Sequence, residues 1–104
     1  MANYVLAFRG GSMPETPEAQ QQSMDAWMAW FGGLGDSVVD MGAPFGPSAS
    51  IAPDGAASDG GASALTGYSI LSAASLAEAQ TKAKGCPVLA SGGTIEVYET
   101  MPIG

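Results

Sequence analysis

The chain of 104 residues contains no histidine. No side chain therefore titrates near neutrality at its ordinary pKa, and Ser-His-Asp and Cys-His nucleophile systems are excluded. Cysteine is nearly absent too. Cys86 stands alone, so no internal disulfide can form and, without histidine, the usual zinc ligand sets are missing. Cations are scarce: Arg9, Lys82 and Lys84 face ten acidic residues, for a net charge of −7. Such a surface repels phosphate backbones and anionic headgroups, which argues against nucleic acid and membranes as partners. No apolar run approaches the ~18 residues of a membrane span. The first ten residues lack the charged start and long apolar run of a signal peptide, so a cytoplasmic location is the expectation.

Metal and phosphate sites find no pattern either. Asp54 and Asp59 lack the acid spacing of a calcium loop. Gly32-Gly33 and Gly35 neither follow a strand nor open a helix, which a phosphate-cradling loop requires. No cofactor is expected. Cys86 lies just past a helix C-terminus, whose negative dipole end disfavours a thiolate, and it reads as a packed structural thiol.

What is present is a periodic, Gly-punctuated sequence of one-domain size, 46% hydrophobic and 12% charged, with 15 Gly and 7 Pro set mostly between periodic segments. Residues 1–104 form a single domain in this reading. Tyr4 to Phe8 is rich in strand formers and ends at Arg9-Gly10-Gly11. Thr16-Pro17-Glu18 combines a capping hydroxyl, a proline for the first helical position and an acid at the positive dipole end; it announces a helix to about Leu34, with Gly35 as its stop. Met24, Trp27, Met28, Phe31 and Leu34 recur at three- and four-residue spacing and form the expected core stripe, with Trp30 at its edge or in a subunit contact. Val38 to Met41 reads as a second strand entering the loop 42–47, and Ala49 to Ala52 as a brief extension or edge strand. Pro53 to Ser63, rich in Gly, Ala, Asp and Ser, reads as a flexible surface loop. Tyr68 to Leu71 is a third strand. Ser75 and Glu78 make a capping box for a second helix that carries Leu76, Ala79 and Ala83 inward, ends at Gly85 and cannot continue through Pro87. Thr94 to Glu99 is the clearest alternating strand.

The order β-α-β-β-α-β is the ferredoxin-like, split-βαβ pattern of an α+β fold. It places both helices on one face of a four-stranded sheet. The first and third strands offer apolar residues to both sides, unlike the apolar-in, polar-out alternation of a half-exposed sheet, so the second face calls for a cover. A second copy of the chain is the economical one. Arg9 falls opposite Leu6 and Phe8, and Glu96 and Tyr98 opposite Ile95 and Val97.

Gly67-Tyr68, Ser75-Leu76-Ala77-Glu78-Ala79, Gly85-Cys86-Pro87 and Gly92-Gly93-Thr94-Ile95-Glu96-Val97, in that order and spacing, resemble the YCII-related family and its DGPF-type branch. The likeness extends more weakly upstream through Trp27, Phe31, Leu34-Gly35 and Pro47-Ser48-Ala49. It implies a dimeric α/β barrel, in which two ferredoxin-like sheets face each other around a small cleft. Some members carry a proposed histidine and aspartate pair in that cleft, and a dehydrochlorinase of chlorinated hydroxyquinols resembles the family. An ungapped count places those positions near Asp25 and Leu34 here, so neither role transfers. Asp59-Gly60-Gly61-Ala62 keeps the Asp-Gly of the signature and loses its Pro-Phe.

The functional expectation is a homodimer that binds a small aromatic or anionic molecule in a cleft at the dimer interface, with Arg9, Asp40, Glu96 and Tyr98 as candidate binding residues and no assignable catalytic activity. Two other readings stay open. One is a small lyase or isomerase that uses Tyr98, Glu96 or Asp40 as acid or base, since a desolvated carboxylate can be tuned toward neutrality. The other is a structural oligomerisation or protein-interaction module.

Overall fold

A computed structural model of the chain describes residues 2–11, 15–59 and 65–101. Its strands are β1 (Ala2–Arg9), β2 (Val38–Pro44), β3 (Ala49–Ile51), β4 (Ala57–Asp59), β5 (Gly67–Ala73) and β6 (Thr94–Glu99), and its helices α1 (Pro17–Leu34), α2 (Leu76–Ala83) and α3 (Pro87–Ala90). The fold is α+β. Four strands form one antiparallel sheet in the order β2-β5-β1-β6, and β3 pairs with β4 in a separate two-stranded ribbon.

Local chemistry sets the ends of the helices where the sequence places them. The Thr16 hydroxyl accepts the Ala19 amide at 3.1 Å, and Pro17 opens α1. Gly35, at φ 57°, closes it by donating its amide to the Phe31 carbonyl. Ser75 caps α2 by accepting the Glu78 amide at 3.1 Å. Glu78 and Lys82 pair one turn apart at 3.0 Å, and the same ammonium donates to Ser37 Oγ at 2.9 Å and to the Ser72 carbonyl at 3.2 Å. Lys82 thus ties α2 to the end of β5 and to the turn before β2.

The core lies between the helices and one face of the sheet. Tyr4, Leu6 and Phe8 of β1 and Leu71 and Ala73 of β5 are buried there with Ala79, Ala83, Cys86 and Val88, and Ile95 and Val97 of β6 pack against them. Burying one such large side chain is worth about 1.5–3 kcal/mol, so this face supplies most of the fold's stability. The molecule measures 44 × 42 × 18 Å, a flat slab as thick as one sheet and one helical layer.

The core stripe of α1 differs from the expected one. Trp30 is the one buried residue of the helix, whereas Met24 and Met28 are 61% and 56% exposed. Two overlapping stripes share Trp27, Phe31 and Leu34, and the one that includes Trp30 buries a larger ring. It also gives the indole N–H a partner, the Lys82 carbonyl at 3.0 Å. Trp27 then meets Phe8 edge to face, with centroids 5.5 Å apart.

Residues 53–63 are not a uniform loop. Ala52-Pro53-Asp54-Gly55 is a tight turn in which Gly55 donates to the Ala52 carbonyl at 2.8 Å and Ala56 donates to Asp54 Oδ1 at 2.9 Å. Gly55, at φ 88°, completes the reversal that pairs β3 with β4. The last part of the expected loop, residues 60–63, lies outside the described residues. Pro87 stops α2 and also opens α3, because a fixed φ suits a first helical turn. β2 runs on to Pro44 through register shifts between Val38 and Asp40 and between Asp40 and Ala43. Gly42 makes the second shift possible. It sits at φ 80°, and a Cβ there would overlap the Tyr68 carbonyl.

Candidate functional site

Pairing register assigns the second face of the sheet. Val5 lies opposite Ile70 on one side and Tyr98 on the other, Ala7 opposite Tyr68 and Glu96, and Ile70 opposite Asp40. None of these residues belongs to the core cluster under the helices; Ala7 is nonetheless buried, at 4% exposure, and Val5, Tyr68 and Ile70 are half-buried. The centre of the face is therefore apolar, formed by Val5, Ala7 and Ile70, with polar and aromatic side chains toward both edges.

At the β6 edge Arg9 Nε lies 3.1 Å from Glu96 Oε1, and the Tyr98 hydroxyl donates to Glu96 Oε2 at 2.6 Å. Both carboxylate oxygens of Glu96 are thereby engaged. The Arg9 Nε is buried and makes the ion pair without a well-aligned hydrogen bond, and the terminal amino groups of the guanidinium make no hydrogen bond to the described residues. Hydrogen bonding to the Glu96 carboxylate and its negative charge push the Tyr98 phenol above its ordinary pKa, and the Arg9 charge pulls the other way. Tyr98 remains 55% exposed, so the cluster faces solvent in a single chain.

At the other edge Asp40 accepts the Gly42 amide at 2.8 Å through Oδ1 and the Tyr68 hydroxyl at 3.3 Å through Oδ2. Phe45, just past β2, stacks on Tyr68 with centroids 5.7 Å apart and an interplanar angle of 19°. The four expected site residues thus share one face but form two groups. Arg9, Glu96 and Tyr98 are together, and Asp40 stands on the opposite edge strand, β2, three strand spacings or ~14 Å from Glu96 and Tyr98 on β6. Sequence reasoning missed Tyr68 and Phe45. Tyr68 shares the parity of Ile70 and could have been found by pairing it with Asp40. Phe45 follows a proline in a turn, and nothing in its neighbours marks its direction.

The remaining candidates are structural. Cys86 is buried, and burial pushes its thiol up to about 11, which leaves it protonated and unreactive at neutral pH. The negative end of α2 is not the cause. Asp54 is held in its own turn, and the side chain of Asp59 lies outside the described residues. Among the described residues no three of Cys, Asp and Glu converge as a metal site, and no helix is long and apolar enough to cross a membrane. In the single chain Asp40 is exposed and the Glu96 side chain is 41% exposed. An open depression of about 250 Å³ lies elsewhere, on the helical side, where Gln80, Ala83, Leu89, Ile95 and Val97 leave an apolar notch.

Comparison with family models, with curated proteins and with solved structures finds no match to this chain. The family resemblance rests on the residue order alone.

Proposed function

We propose that the chain is a YCII-related homodimeric binding module. Two copies oppose their uncovered sheet faces as a dimeric α/β barrel and leave between them a small cleft for an aromatic or anionic molecule. The strand order β2-β5-β1-β6, with α1 after β1 and α2 after β5, supports a ferredoxin-like reading in which the β3–β4 ribbon is an insertion. The single observation that carries the function is Arg9. In a chain of net charge −7 it is the only arginine, it pairs with Glu96 through Nε beside an apolar strip of the sheet, and its terminal amino groups make no hydrogen bond to the described residues. A guanidinium fork of that kind receives a carboxylate in two-point fashion, while Val5, Ile70 and the rings of Tyr68 and Tyr98 receive an apolar body.

A thermal-shift panel of benzoate, phenylacetate and their uncharged amides tests the reading. The carboxylates raise the melting temperature of the wild-type chain, the amides do not, and Arg9→Met removes the response. A panel with no response at millimolar concentration refutes it.

A further inference from the structure

The β3–β4 ribbon pairs with itself and is not part of the four-stranded sheet. Every residue from Ala49 to Ser58 is exposed, Ile51 at 75%. Isolated two-stranded hairpins are marginal in water at best, and this one contains only three residues in each strand. The Cα radius of gyration is 15.2 Å, against ~13 Å for a compact domain of this length. A fixed turn, a regular ladder and an exposed isoleucine are devices for holding a shape, and here the shape has nothing beneath it.

We infer that this ribbon is an arm that closes over a second copy of the chain, so that the dimer interface consists of the open sheet face and two exchanged arms. The inference rests on the dimer proposed above and adds the arm to it. Position favours it. The arm leaves from Phe45, whose ring stacks on Tyr68 on that open face and whose amide donates to the Thr66 carbonyl at 2.9 Å. It therefore starts on the face that the second copy covers.

Sedimentation equilibrium on the full chain tests this, with Ile51→Asp altering the arm and Val5→Glu altering the face. Ile70→Gln serves as a milder face variant should Val5→Glu fold poorly. Backbone amide exchange at Ala52, whose N–H donates to the Ala56 carbonyl at 2.8 Å, gives a second readout. The arm predicts that Ile51→Asp weakens dimerisation by tenfold or more without changing the far-ultraviolet circular dichroism. It also predicts that Ala52, protected in the dimer, exchanges at close to the unstructured rate in the face variant. A face variant that is monomeric, beside an Ile51→Asp chain with the wild-type dissociation constant, overturns the arm and leaves the face-to-face dimer standing. A wild-type chain that stays monomeric up to about 1 mM overturns both.

Discussion

The face of the sheet that carries Tyr4, Leu6, Phe8 and Leu71 is roofed by helices, and these residues are between 0% and 5% exposed. The face that carries Val5, Tyr68, Ile70 and Tyr98 has none of the described helices over it and leaves the first three half-buried and Tyr98 exposed, yet Val5 and Ile70 are as apolar as the residues they back onto. The same two central strands serve both faces, so strand propensity and backbone pairing cannot account for the difference. What differs is company. On the roofed face each polar atom has a structural partner, as with the Ser69 hydroxyl, which donates to the Met41 carbonyl at 2.8 Å, and the Trp30 indole N–H on Lys82. On the open face the terminal amino groups of Arg9 make no hydrogen bond to the described residues, and a phenol leans on a half-exposed carboxylate. An apolar centre rimmed by engageable polar groups is the anatomy of an interface or binding surface, not of a finished core.

Substitution at neighbouring positions of one strand breaks the comparison most directly. Leu71→Ala empties a fully buried site and is expected to cost about 2–5 kcal/mol in denaturant unfolding. Ile70→Ala, one residue earlier and on the other face, should cost about 1 kcal/mol or less in dilute solution. Its penalty should grow with protein concentration, as the proposed dimer requires. Equal and concentration-independent losses would erase the distinction between the faces.

A smaller effect sharpens the account of the roof. Trp30→Phe removes the donor to the Lys82 carbonyl and part of the ring packing, for an expected cost of about 1–3 kcal/mol. Met28→Gln on the exposed side of the same helix should lie within about 0.5 kcal/mol of wild type. The reverse ranking in thermal or chemical unfolding would restore the methionine stripe as the core face.

The smallest effect concerns titration on the open face. Glu96→Gln should lower the Tyr98 phenol toward its ordinary value of 10.0, and Arg9→Met should raise it further, both readable by ultraviolet absorbance of phenolate. Because the folded-state pKa is raised, the native state holds this proton more tightly than the unfolded chain does. The associated stability is complete below about pH 10 and is lost as pH rises through the folded value. A Tyr98 titration unaffected by either substitution would show that the three side chains do not act together.

Much of this was legible beforehand, and for definite reasons. Both long helices carry their caps in the sequence, Thr16-Pro17 and Ser75 with Glu78, and their ends fall where those residues put them. The two faces of β1, β5 and β6 follow from alternation, which fixes Arg9, Glu96 and Tyr98 on one side once the strands are paired. The rotation of α1 was not legible, because overlapping three- and four-residue spacings accommodate either Met28 or Trp30 and only the position of the Lys82 carbonyl decides between them. The Pro53-Asp54-Gly55 turn is a hairpin signal that its small, polar surroundings disguised as a loop. Asp40 was separated from Arg9 by the strand order, which sets β5 between β2 and β1, and the register of β2 depends on Gly42, a long-range fit between two strands that no local pattern reveals.

The central claim is that the open face meets its own copy. Mixing uniformly ¹³C-labelled and unlabelled chains and recording filtered nuclear Overhauser spectra reads that contact directly. The account predicts interchain cross-peaks from the methyl groups of Val5 and Ile70, lost in Val5→Glu. Interchain cross-peaks arising instead from Met24 and Met28, with none from Val5 or Ile70, would place the interface on α1 and contradict it.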